Sequence, residues 1–164
     1  MSLLTPLRRA ATAAVLATGA CVAAASETPM PPQVITGPFD VKLTPEPASP
    51  AAEIAGLGRM SLDKTFHGPL EATSRGEMIA FRTATPGSAG YVAMETVRGR
   101  LDGREGSFVL QHSATMDRNQ PSLSITVVPD SGTGGLTGLT GRMHIDIAPG
   151  GAHSYRFEYR LPAP

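Results

Sequence analysis

The chain has 164 residues, with 14 basic side chains against 14 acidic ones, no tryptophan, one cysteine and only 5% aromatic residues. Without excess positive charge or abundant rings it lacks the phosphate-neutralising groups and stacking platforms that nucleic-acid binding demands. The absence of tryptophan also counts against carbohydrate binding by ring stacking, and a lone cysteine makes no intrachain disulfide.

Residues 1–25 read as a secretory signal. Arg8 and Arg9 precede an uncharged, mostly apolar run from Ala10 to Ala25, and Ala23 and Ala25 are the small residues a signal peptidase requires. The run is short for a membrane span, which needs about 20 apolar residues. Cleavage after Ala25 is expected, and it removes Cys21. Lipidation of Cys21 is the alternative, opposed by Thr18 where a branched apolar residue belongs. Losing Arg8 and Arg9 leaves 12 basic residues of the 14 against 14 acidic, a net charge of −2 on the mature chain. The expected location is periplasmic or secreted, with no membrane span in that mature chain.

Residues 26–37 form a proline-rich leader expected to be disordered, and residues 38–164 one domain. Its first strand is "PFDVKL", with Phe39, Val41 and Leu43 on one face; Pro45, Pro47 and Pro50 end it and open a loop to about Leu57. Strands alternating apolar and polar residues follow. "GRMSLDKTFHG" carries Met60, Leu62, Lys64 and Phe66 on one face, and "SRGEMIAFRTAT" carries Glu77, Ile79 and Phe81. "GYVAMETVRGRL" carries Tyr91, Ala93, Glu95 and Val97. "SFVLQHSATM" carries Phe108, Leu110, His112, Ala114 and Met116. The last three are "PSLSITVVP" with Leu123, Ile125 and Val127, "RMHIDIA" with Met143, Ile145 and Ile147, and "HSYRFEYRL" with Tyr155, Phe157, Tyr159 and Leu161. "LDGREG" and "APGGAH" place glycine where tight hairpins need positive φ, and "MDRNQP" joins two more strands. The expected fold is all-β: an antiparallel β-barrel of about eight strands, with a β-sandwich as the alternative.

The glycines of "PDSGTGGLTGLTGRM" do not make a phosphate cradle. No Lys-Ser/Thr pair follows Gly141, so a structural turn is expected, with a short helical turn around Leu136–Leu139. His67, His112, His144 and His153 show no metal-binding spacing, and the first and last two fall on polar or loop positions. Neither a metal nor a cofactor is implied.

Charged residues within apolar rows are the exception to this pattern. Lys64, Glu77, Glu95 and His112 each share a row with apolar neighbours, and the Tyr155 hydroxyl joins them on the last strand. Lys and Glu are seldom buried unless paired. These five are the candidates for an interior polar cluster, serving either as a structural ion-pair network or as the polar floor of a ligand pocket. The favoured function is binding of a small apolar molecule inside the barrel. The alternatives are an isomerase- or cyclase-like enzyme using these polar groups, and an envelope protein with a filled interior. A homo-oligomer is compatible with any of these.

The strings "GRMSLDKTFHGPLEATSRGEM", "GSAGYVAMETVRGRLDGREGSFVLQHSATM", "LSITVVPDSGTGGLTGLTGRMHIDI" and "HSYRFEY" resemble the bacterial domain-of-unknown-function family 3224 from about Gly58 to Leu161. The resemblance implies a barrel like that of plant allene oxide cyclases. That family has no established activity, so no catalytic residue carries over. The fold-level likeness to allene oxide cyclases and dirigent proteins, whose barrels hold apolar small molecules, does not by itself transfer a function.

Overall fold

The computed structural model describes residues 31–162. The expected signal peptide, its cleavage point and Cys21 lie outside the described residues. The elements run β1 (Gln33–Glu46), α1 (Pro50–Ile54), β2 (Gly58–Phe66), β3 (Leu70–Arg82), β4 (Ala89–Leu101), β5 (Arg104–Asp117), β6 (Gln120–Val127), β7 (Thr133–Gly134), β8 (Thr140–Ile147) and β9 (His153–Arg160).

Every pairing is antiparallel. Around the wall the order is β4-β3-β2-β1-β9-β8-β6-β5, and β5 pairs with β4 from Ala89↔Met116 to Leu101↔Arg104. That last pairing closes eight long strands into a barrel and removes the free edges an open sheet would expose. The β-sandwich is thereby excluded. The two-residue β7 adds on to β5 at Gly106 and Ser107.

Turn chemistry sets the joints. Asp102 and Gly103 both take positive φ in the β4–β5 hairpin, as do Arg118 and Asn119 between β5 and β6. The first strand is longer than its "PFDVKL" centre. Gln33 to Phe39 pair with β9, and Phe39 to Glu46 with β2, so residues 33–37 belong to the sheet rather than to the leader. Pro38 is tolerated because it sits where β1 passes from one partner to the other, next to the end of the β2 ladder.

Toward one end the interior is filled. Phe66, Leu70, Val97, Leu101, Phe108, Leu110 and Phe157 are all at most 1% exposed. The glycine-rich segment closes this end: consecutive turns at Thr133–Leu139 drive Leu136 and Leu139 into the core. The opposite end is different. There Leu43, Met116, Leu123 and Ile147 stand on inward rows yet remain 37–63% exposed.

Candidate functional site

Register builds the interior polar cluster. Lys64 faces Ser74 across β2–β3, Glu95 faces Gly76 across β3–β4, and His112 faces Ala93 across β4–β5. Strand β3 therefore stands between the lysine and the glutamate. It lets them meet because its inward positions there are a serine and a glycine. A Cβ on Gly76 would lie 2.6 Å from the Cβ of Glu95 and closer still to the Met94 carbonyl, so only glycine permits this approach.

Glu95 is the hub. Its Oε1 accepts from Lys64 Nζ at 2.8 Å and pairs with His112 Nε2 at 2.9 Å, while Oε2 accepts from Ser74 Oγ at 2.8 Å. Lys64, Ser74, Glu95 and His112 are each no more than 6% exposed. Burial alone would raise the Glu95 carboxyl. The His112 hydrogen bond and the charge and hydrogen bond of Lys64 outweigh it and bring the group down to about 2. Glu95 is thus an ionised, acceptor-only hub. Lys64 Nζ also lies 5.5 Å from the ring centroid of Phe39 and 5.9 Å from that of Phe66, where the ring faces attract a cation.

Three of the five sequence candidates, Lys64, Glu95 and His112, come together. Glu77 does not. Its row, with Ile79 and Phe81, is the outer one; Glu77 is exposed and pairs with Arg59. The inward row of β3 runs Leu70, Ala72, Ser74, Gly76, Met78 and Ala80, and the parity set by Leu70 at the strand start decides the face. On the outside Ile79 pairs with Val92, and Phe81 and Met94 extend that pair into an exposed apolar patch.

Tyr155 is buried but serves a joint. Its Oη accepts from Leu70 N at 3.1 Å and donates to His67 O at 3.0 Å, fastening the β2–β3 turn to β9. Burial raises its phenol, opposed by the Leu70 N–H and reinforced by Asp102. Gly37 makes room for this contact, since a Cβ there would sit 2.6 Å from the Tyr155 hydroxyl. His67 and His144 are exposed, but His153 is half-buried with its ring 5.2 Å from that of Phe39. It occupies the inward row of β9, which the position of "APGGAH" as a loop concealed. Among the described residues no three His, Cys, Asp or Glu side chains gather as metal ligands.

Two participants were not singled out from sequence. Ser74 completes the Glu95 shell, and its signal was the parity of β3 once Leu70 is counted. Tyr91, half-buried on the Glu95 row, is close enough that burial first and the Glu95 charge second raise its phenol. Above the cluster, toward the open end, stand Met60, Met78, Ala80, Tyr91, Ala114 and Leu123, all on inward rows. These residues form an apolar upper tier of the inner wall, above a layer in which Lys64 and Glu95 balance each other's charge. A groove of about 760 Å³ along β1–β4 is lined mostly by outward side chains and also touches Lys64 and Ser74 of the cluster. Its outward charges are Lys42, Arg75 and Arg98 against Asp40 and Asp63, with Asp63 and Arg75 paired at 3.0 Å.

No helix among the described residues is long and apolar enough to cross a membrane. No curated protein matches the chain. A crystal structure of a protein of unknown function from the DUF3224 family of Shewanella oneidensis MR-1 is similar, with 54% identity and a TM-score of 0.75. The match covers 81% of this chain and 99% of that one. The family profile described as "Protein of unknown function (DUF3224)" matches residues 35–159. With most of its barrel inside that match, the chain belongs to the DUF3224 family.

Proposed function

We propose that this protein binds a small, largely apolar molecule in a cup at the open end of its barrel. The observation that carries the reading is the inner wall itself. Leu43, Met116, Leu123 and Ile147 are 37–63% exposed although each continues a row that is buried deeper in the barrel. Covering such surface is worth about 25 cal/mol per Å². Met60, Met78 and Met116 suit this task, because an unbranched, polarisable thioether adapts to varied apolar shapes. The buried cluster beneath supplies the few fixed polar groups that orient a ligand.

The test is titration with the neutral fluorophore N-phenyl-1-naphthylamine. One saturable site is expected, lost in Ala114→Trp, which fills the cup, and kept in Val92→Ser, which alters only the outer patch. Loss in Val92→Ser with retention in Ala114→Trp would place binding on the outer wall and overturn the reading. We further propose export, with the signal removed after Ala25 and the barrel domain delivered to the periplasm or medium. Amino-terminal sequencing of the exported protein should begin near Ser26, and a start at Met1 would refute cleavage.

A further inference from the structure

His112 holds one polar atom that the cluster does not use. Glu95, as an ionised carboxylate, only accepts, so His112 Nε2 carries the proton of the 2.9 Å contact. In the neutral ring Nδ1 is then a lone pair, and it has no hydrogen-bond partner among the described residues. Yet no fully buried side-chain nitrogen or oxygen among those residues is left without a partner. Nδ1 therefore lies on the sliver, 3% of the side chain, that open space still reaches.

The direction of that opening follows from the neighbours. Below the ring Phe108 and Leu110, and beside it Ile125, its partner on β6, are at most 1% exposed and seal those sides. Beside and above it stand Ala93, its partner on β4, and Ala114, two residues further along β5, each offering only a methyl group. The direction left for the lone pair is toward the open end of the barrel. The floor around it is formally balanced: Lys64 is matched by Glu95, and its Nζ is covered by the Phe39 and Phe66 rings. A floor of this kind offers nothing extra to an ionic head group. It offers one hydrogen-bond acceptor, set in apolar surroundings.

We propose that the cup selects neutral apolar molecules bearing a hydroxyl group, with His112 Nδ1 accepting the hydroxyl's hydrogen bond. The inference rests on ligand binding at the open end and adds the chemical class. Glu95 acts here as a positioning residue, holding the imidazole in the tautomer that leaves Nδ1 free. A wholly apolar ligand of the same shape would strip Nδ1 of water without replacing it, and a buried acceptor left unpaired is penalised.

The experiment compares 1-naphthol, its methyl isostere 1-methylnaphthalene and the anion 1-naphthoate on the full chain, with ¹⁵N NMR of the histidine rings. Naphthol is expected to bind about tenfold more tightly than either of the others, from the difference between a made and an unmade hydrogen bond. The His112 spectrum should show an Nε2–H tautomer whose Nδ1 resonance moves on naphthol addition and stays put with the methyl isostere. The spectroscopic readout needs no variant. Equal binding of naphthol and methylnaphthalene without an Nδ1 shift would overturn the hydroxyl preference and leave the apolar cup standing. Tighter binding of naphthoate, or an Nδ1–H tautomer, would also overturn it. If none of the three bound, the cup itself would be refuted.

Discussion

Glu95 gathers three donors where water is excluded, and its energetics follow from that. Removing one partner of a buried pair leaves an uncompensated charge, so Lys64→Met or Glu95→Gln alone should cost about 3–5 kcal/mol in urea unfolding. The double variant should recover much of the loss, a non-additivity that reports direct coupling. Additive, near-neutral effects would mean that the pair is solvated. The same residue makes a prediction for pH. Its carboxyl is lowered from 4.5 to about 2, so the stability it contributes is fully present above about pH 4.5 and is lost as pH falls through about 2. That contribution is on the order of 3 kcal/mol. The stability gap between the parent and Glu95→Gln should therefore narrow from pH 6 toward pH 2, and a constant gap would contradict the assignment.

Parity along single strands made much of this legible. Lys64, Glu95 and His112 each sit two residues from apolar neighbours on unbroken strands, and alternation alone set them inward. Strand β3 misled because its most apolar residues, Ile79 and Phe81, lie outside, while its inward row is the modest Ser74, Gly76, Met78 and Ala80. Size and hydrophobicity pointed one way and the register from Leu70 the other, and register won. What alternation could not supply was which inward residues touch across strands; the Lys64–Glu95 contact spans β3 and depends on Gly76. The β3 assignment has a direct check. Glu77→Ala should shift stability by no more than about 1 kcal/mol, as befits an exposed pair. Phe157→Ala, fully buried on β9, should cost about 3–5 kcal/mol. Comparable losses would mean that the face of β3 is wrongly assigned.

For the molecule as a whole, the two barrel ends do different things. The Leu136–Leu139 turn seals one with aliphatic side chains, and the other leaves its inner wall in contact with water above a fixed dipolar floor. Methionines mark these regions: Met60, Met78 and Met116 line the open end, Met94 lies on the outer patch, and Met143 is buried in the core. A titration of methyl-¹³C-methionine protein with N-phenyl-1-naphthylamine, followed by NMR, reads all of them at once. Binding in the cup requires the Met60, Met78 and Met116 methyl signals to move together along one saturation curve while Met94 stays still. Movement of Met94 alone, or no saturable movement at the open end, would contradict a ligand site inside the barrel.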